Sequence, residues 1–295
     1  MNLKISELRV VSLLLTGLLA QGSCARALRE RGAIVSADHV KVRMISGARR
    51  LTPGATQEIG VLFSLASGWH LYGRSRSDSG LPILLAPSAP EGFRFARPLW
   101  PAPRRLVSDG EILDHVYEHE VTILLPLEVP ADAVPGRMVT LRCHADWLLC
   151  NTGCIPGQGD LEIELPIGRP GESPGASPDE AHLRAARSRL PAPQALLAYD
   201  VTSAWSREEW SIHVPGARKL EFYPDSSCAP LKDPIADGAS SGESLRLRLA
   251  PDAPADAHVT GILAVKGSER EARFYQIDSA SSRSGTQESV KANSE

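Results

Sequence analysis

The sequence predicts an all-β protein made of two small β-sandwich domains. Three observations carry this reading: short apolar segments recur at near-regular spacing, Pro and Gly punctuate them, and stretches with a helical period are few. A polar, Pro/Gly-rich stretch inside the 295 residues divides the segments into two series.

Residues 1–25 read as an export signal. Lys4 and Arg9 precede the apolar run Val10 to Leu19, and the small residues Ala20, Gly22, Ser23 and Ala25 follow. The run is about half the ~20 residues that a membrane-spanning helix needs, and no later run is longer. Ser23-Cys24-Ala25 and Ala25-Arg26-Ala27 both fit a small-x-small cleavage site. A lipid-modified Cys24 is the alternative, set back by Gln21 where such signals carry an aliphatic residue. The mature chain is expected outside the cytosol.

The first domain is expected over residues 33–167, with strands at 40–45, 57–65, 83–86, 121–128, 138–149 and 161–165. Pro53-Gly54, Pro90-Glu91-Gly92 and Pro135-Gly136 supply turns between them. Residues 168–178 read as a linker, because Arg169-Pro170-Gly171 through Pro178 is too polar and too rich in Pro and Gly to pack. The second domain, 179–278, opens with a short helix that has Asp179 and Glu180 near its start and Arg187 and Arg189 near its end. Strands are expected to follow at 197–204, 210–213, 219–223, 244–249, 259–265 and 273–277. The tail 279–295 has no aromatic residue and is expected to be disordered.

Composition narrows the function. With 42% hydrophobic residues and a formal charge of -3, the chain is an ordinary globular protein with no bias toward nucleic acid or membrane surfaces. Ser77-Asp78-Ser79-Gly80 is not a nucleophile elbow, and no Gly-rich phosphate loop precedes a helix. A conventional hydrolase or transferase is not expected.

Chemistry concentrates at Cys150 and Cys154, which flank Asn151-Thr152-Gly153. Three residues suit a hairpin loop, with Gly153 expected in the left-handed conformation that such loops use. Residues opposed across the hairpin have Cα atoms roughly 4.5–5.5 Å apart, within disulfide range. The pair can therefore open and close as a redox couple. Along the same strand Leu141, Cys143, Ala145, Trp147 and Leu149 share one face, and His144, Asp146, Leu148 and Cys150 share the other. Cys143 is expected to be a buried, inert thiol, and Trp69 and Trp147 to be core residues. His144 stands roughly 20 Å from Cys150 along an extended strand, too far to share a metal. His70, His115 and His119 can approach the pair from other segments. Cys228 is left unpaired.

Several blocks occur together in order: Gly68-Trp69-His70-Leu71-Tyr72, Asp78-Ser79-Gly80-Leu81-Pro82, Trp100-Pro101-Ala102-Pro103, Tyr117-Glu118-His119-Glu120-Val121, and Trp147-Leu148-Leu149-Cys150 through Cys154-Ile155-Pro156. In this set the first domain resembles the N-terminal periplasmic region of DsbD-type thiol:disulfide interchange proteins, in particular the branch linked to suppression of copper sensitivity. Residues 180–278 resemble the second β-domain of that branch. The resemblance implies two immunoglobulin-like sandwiches and catalytic roles for Cys150 and Cys154, with Cys154 forming the mixed disulfide and Cys150 resolving it. It implies a cap loop at about 109–117, where Ile112, Leu113 and Tyr117 shield the pair together with Tyr72. A place for Tyr72 and Tyr117 in the sandwich core is the alternative. Gly73 departs from the aromatic residue that the branch carries after the tyrosine.

The function expected is that of an exported electron relay. In the family, electrons come from a membrane domain and a thioredoxin-like domain of the same chain. Because this sequence shows neither a membrane-length run nor a Cys-x-x-Cys pair, the resemblance implies a separate membrane-embedded thiol reductase or thioredoxin-like protein as the donor. Oxidised periplasmic thiol proteins would be the acceptors. No cofactor, metal site or nucleic-acid partner is expected. Two other readings stay open: a β-sandwich binding module in which the disulfide is structural, and a copper-handling protein, since thiolates suit Cu(I). A bridge closing three residues removes little chain entropy, which counts against a staple.

Overall fold

The computed structural model describes residues 35–109, 111–197, 200–254 and 256–280. The expected export signal with Cys24, and the tail beyond Ala280, lie outside them.

The first unit contains β1 (Val35–Ala37), β2 (Val40–Ser46), β3 (Thr56–Leu65), β4 (His70–Tyr72), β5 (Leu84–Ser88), β6 (Arg94–Phe95), β7 (Arg104–Ser108), β8 (Ile112–Glu118), β9 (Glu120–Glu128), β10 (Met138–Cys150) and β11 (Cys154–Pro166). One antiparallel sheet has the order β1-β2-β3-β9-β6 and the other β11-β10-β4-β8-β7, with β5 also paired to β10. Alternating apolar residues of the two sheets meet in a single core. Val42, Met44, Val61, Phe63, Ile123 and Leu125 come from the first sheet, and Leu141, Cys143, Trp147 and Leu149 from the second. Phe63 and Trp147 meet edge to face at 5.7 Å across it.

A connection of residues 167–179 follows and is bonded to the first unit rather than loose. Arg49 N–H donates to the carbonyls of Pro174 and Gly175, Ser177 N–H donates to Gly47 O at 2.9 Å, and Arg50 pairs with Glu172. Polar composition made this segment look unpacked, but its backbone finds partners along the chain that follows β2. Helix α1 (Glu180–Arg187) also lies on the first unit, seating Leu183 and Ala186 against Ile45, Leu62 and Leu124 on the outside of the β2-β3-β9 sheet. The carboxylate of Asp179 at its start is held by both Nη atoms of Arg43, at 2.9 and 2.7 Å.

The second unit begins after a 3-10 turn at Gln194–Leu196. It comprises β12 (Thr202–Ser206), β13 (Glu209–His213), β14 (Lys219–Pro224), the short α2 (Pro234–Asp237), β15 (Ala239–Ser240), β16 (Ser244–Arg248), β17 (His258–Lys266) and β18 (Arg273–Ala280). Sheets β12-β13-β16 and β15-β14-β17-β18 enclose Trp210, Ile212, Phe222, Leu247, Val259 and Leu263. The all-β class with paired sheets is as the sequence predicts.

The units meet along the β7–β8 hairpin and the segment that follows β4. Arg76 N–H donates to Pro224 O at 2.7 Å, and its guanidinium donates to the carbonyls of Cys228 and Ser226. Arg105 donates to Pro234 O and to Ile235 O at 3.0 Å. Arg189 donates to Ala102 O and Pro103 O while lying 4.9 Å over the Phe274 ring. Ala102, Tyr223, Ala264 and Phe274 form the apolar centre of this contact.

Candidate functional site: a half-buried disulfide beneath a tyrosine

Strands β10 and β11 pair along all 13 residues of each, ending at Cys150 opposite Cys154. The two are joined by a disulfide with Cα atoms 4.1 Å apart. The loop differs from expectation in one respect: Gly153 is not among the positive-φ glycines. Asn151 N–H donates to Gly153 O at 3.0 Å, so the turn is closed by that bond and the disulfide instead of by a left-handed glycine.

The two ends of the disulfide sit in different surroundings. Cys150 is 1% exposed, in a small cluster with Tyr72 and Val116 against Leu106 and Leu148, whereas Cys154 is exposed. The alternation of β10 explains this. Trp147 and Leu149 turn into the sandwich core, so Leu148 and Cys150 turn to the outer face. There β4 supplies His70 and Tyr72 and β8 supplies Asp114 and Val116. The register places His70 opposite Cys150, and Tyr72 opposite Val116.

Tyr72 is pinned from above. Its hydroxyl contacts Ser79 Oγ at 3.3 Å and His70 Nε2 at 3.4 Å. Ser79 donates to Asp114 through both Oγ, at 2.7 Å, and N–H, at 2.9 Å. Gly80, with φ of +72°, lies on the ring so closely that a Cβ would overlap it. Asp78 fixes the segment further, its carboxylate accepting from Leu113 N–H at 2.7 Å. Burial lowers the His70 pKa, a shift that the carboxylates of Asp114 and Glu118 partly oppose.

The expected shielding residues separate. Tyr72 is 4% exposed and packs with Cys150. Tyr117 belongs to the sandwich core, where its hydroxyl donates to Pro101 O at 2.7 Å, and burial raises its pKa. Leu113 is buried, while Ile112 is 42% exposed at the hairpin tip. The stretch expected as a cap loop is mostly strand β8, which begins at Ile112 and pairs with β7. Strand propensity is masked here because Asp114 and His115 are buried polar residues within the strand.

Of the three histidines weighed from sequence, His70 alone borders Cys150. His119 is exposed at the β8–β9 turn with φ of +61°. His115 is fully buried at the contact between the units, 5.4 Å from the Tyr223 ring, with Nδ1 bonded to Arg76 O. Cys143 is 1% exposed, and burial pushes its thiol up to about 11. Cys228 is buried in the second unit, and burial raises its pKa too. Ser79 and Asp114 are the site residues that sequence reasoning did not single out. The Asp78-Ser79-Gly80 block held the one available signal.

Comparison with known proteins agrees with this geometry. Residues 41–166 match the family model described as thiol:disulfide interchange protein DsbD, N-terminal. The N-terminal periplasmic domain of ScsB from Proteus mirabilis superposes with a TM-score of 0.55 at 17% identity, covering 85% of this chain and 98% of that one. The two therefore share a fold across both units. The Neisseria meningitidis DsbD N-terminal domain in the reduced form matches with a TM-score of 0.27 and 15% identity, covering 43% of this chain and 86% of that one. No curated protein matches. Residues 41–166, which carry the half-buried disulfide, are thus similar to the N-terminal domain of DsbD thiol:disulfide interchange proteins.

Proposed function

We propose that this chain is a periplasmic electron relay, accepting electrons on the Cys150–Cys154 disulfide and passing them to oxidised periplasmic thiol proteins. The observation that carries the proposal is the asymmetry of the bond, exposed at Cys154 and buried at Cys150. A thiolate attacks a disulfide sulfur that it can reach, so a partner engages Cys154 and Cys150 is the leaving thiol. In the reverse sense Cys154 attacks a partner disulfide and Cys150 resolves the mixed disulfide. The donor is a membrane-embedded thiol reductase or a thioredoxin-like protein. The family match supports an interchange role and a periplasmic setting. Among the described residues no helix is long and apolar enough to cross a membrane.

A purely structural bond fits less well. The ladder already holds the two strands in register to their last residues, and closing a three-residue loop adds little stability. Equilibration in glutathione or dithiothreitol buffers tests the proposal. A reduction potential above roughly -300 mV with rapid exchange is expected. Cys150→Ala should trap a mixed disulfide at Cys154, and Cys154→Ala should form none. A bond that mild reductants leave intact would make it a staple.

A further inference from the structure

The polar groups over Cys150 form a chain with one direction. Asp114 is 4% exposed, and Ser79 Oγ donates to its carboxylate at 2.7 Å. Having donated its proton, Ser79 Oγ accepts from the Tyr72 hydroxyl at 3.3 Å. The Tyr72 hydroxyl, having donated in turn, accepts from His70 Nε2–H at 3.4 Å. A buried carboxylate thus fixes the tautomer of a histidine two hydroxyls away. Nδ1 is left as the ring nitrogen that can take a proton. His70 stands directly opposite Cys150 on the same face of the sheet, with Cβ atoms in such pairs about 4.5–5.5 Å apart.

From this geometry we infer that His70 is the proton acceptor for Cys150 in the resolving step, held in the competent tautomer by Tyr72, Ser79 and Asp114. The inference rests on the relay reading above. Once Cys154 is bonded to the partner's sulfur, the Cys150 thiol gives its proton to His70 Nδ1. The Cys150 thiolate attacks Cys154 Sγ, the bond from Cys154 to the partner breaks, and the partner leaves as a thiolate. The pair is oxidised by two electrons, the partner's disulfide becomes a dithiol, and His70 returns its proton to solvent or to the departing thiolate.

The need for a base follows from burial. A cysteine thiol of pKa about 8.5 is mostly protonated at neutral pH, and an apolar pocket raises that value. Around Cys150 the contacts are Tyr72, Val116, Leu106 and Leu148, none of them cationic. The charged groups facing His70 are Glu118, opposite it on β8 and ion-paired to Arg104 at 2.9 Å, and Asp114 at the end of the chain. Burial lowers the His70 pKa overall, and both carboxylates work against that by favouring a protonated ring.

Stopped-flow oxidation of the reduced chain by 4,4′-dithiodipyridine separates the steps. Capture of Cys154 releases one thiopyridone in a phase that depends on probe concentration, and closure by Cys150 releases the second in a phase that does not. His70→Gln is expected to slow the second phase about 100-fold at neutral pH, the low end for general-base assistance, and to leave the first within about twofold. Asp114→Asn is expected to move the acid-side inflection of the second phase to lower pH, which a merely structural role would not do. It also keeps the test open should His70→Gln lose its circular dichroism spectrum. A second phase with unchanged rate and inflection in both variants would overturn the inference and leave the relay standing. A wild-type chain that releases no second thiopyridone would overturn the relay itself.

Discussion

Arg76 binds the backbone carbonyl of Cys228 across the boundary between the two sandwiches, so the segment lying over Tyr72 and Cys150 is anchored in the second unit. Three residues on from Arg76, Ser79 bonds the Tyr72 hydroxyl, and Gly80 lies on the Tyr72 ring. The back of the β7–β8 hairpin leans on the second unit through Arg105 and His115, while its front supplies Leu106 and Val116 to Cys150. The second unit is thereby a buttress for the segments around the disulfide, a place in the fold that its sequence did not reveal.

Arg76→Ala should loosen that anchor. Charge-assisted bonds to carbonyls contribute about 1.5–3 kcal/mol each, so amide exchange over residues 73–80 should quicken by about tenfold or more while the core of the first sandwich keeps its protection. Hydrogen–deuterium exchange with mass readout checks this, and unchanged exchange in the segment would show that the guanidinium is dispensable.

Gly80→Ala should push Tyr72 off Cys150. The new Cβ overlaps the ring, and φ of +72° disfavours any side chain. Alkylation of Cys150 in the reduced chain should accelerate, with a stability loss of about 1–3 kcal/mol. Gly136→Ala is the control: it has φ of +80° but nothing within 4 Å of the added carbon, so its cost should be that of the backbone alone.

Thiol labelling should discriminate sharply among the described cysteines. With its pKa near 11, Cys143 is about one-thousandth thiolate at pH 8 and is buried as well. Iodoacetamide on the reduced native chain should mark Cys154 first and spare Cys143 and Cys228 until unfolding. Peptide mapping of the labelled chain reads this directly, and early label on Cys143 would mean that the core opens.

Acid should weaken the contact between the units through His115. Its pKa is lowered to about 4, chiefly by burial and further by Arg105, against the bond to Arg76 O that raises it. With Nδ1 donating to Arg76 O, protonation would put a proton on Nε2, which is buried without a hydrogen-bond partner. A folded value below the unfolded 6.5 means that the unfolded state binds the extra proton. The stabilisation is therefore complete above about pH 6.5 and is lost as pH falls toward 4, for a total of about 3 kcal/mol. Denaturant unfolding between pH 7 and pH 4 should show this slope, and His115→Gln should flatten it.

Much of the site could be read from the sequence because it depends on periods and spacings. The alternation of β10 assigned Cys143 to the core and Cys150 to the opposite face, and both lie there. The spacing of Cys150 and Cys154 foretold a closed hairpin. The region expected as a cap escaped this logic. In β8 the buried positions are filled by Asp114 and His115, whose partners Ser79, Arg76 and Tyr223 come from distant segments. Burial made possible by such partners leaves no trace in a local pattern.

The sequence by itself determined the all-β class, the paired cysteines and the faces of their strands, since each follows from backbone periodicity and turn chemistry within a few residues. Only the tertiary structure decided that Tyr72 covers Cys150 while Tyr117 enters the core, that His70 is the histidine beside the pair, and that the second sandwich braces the site. Those outcomes depend on the register between strands far apart in the chain and on hydrogen bonds that close across the domain boundary, and neither is encoded in any one segment.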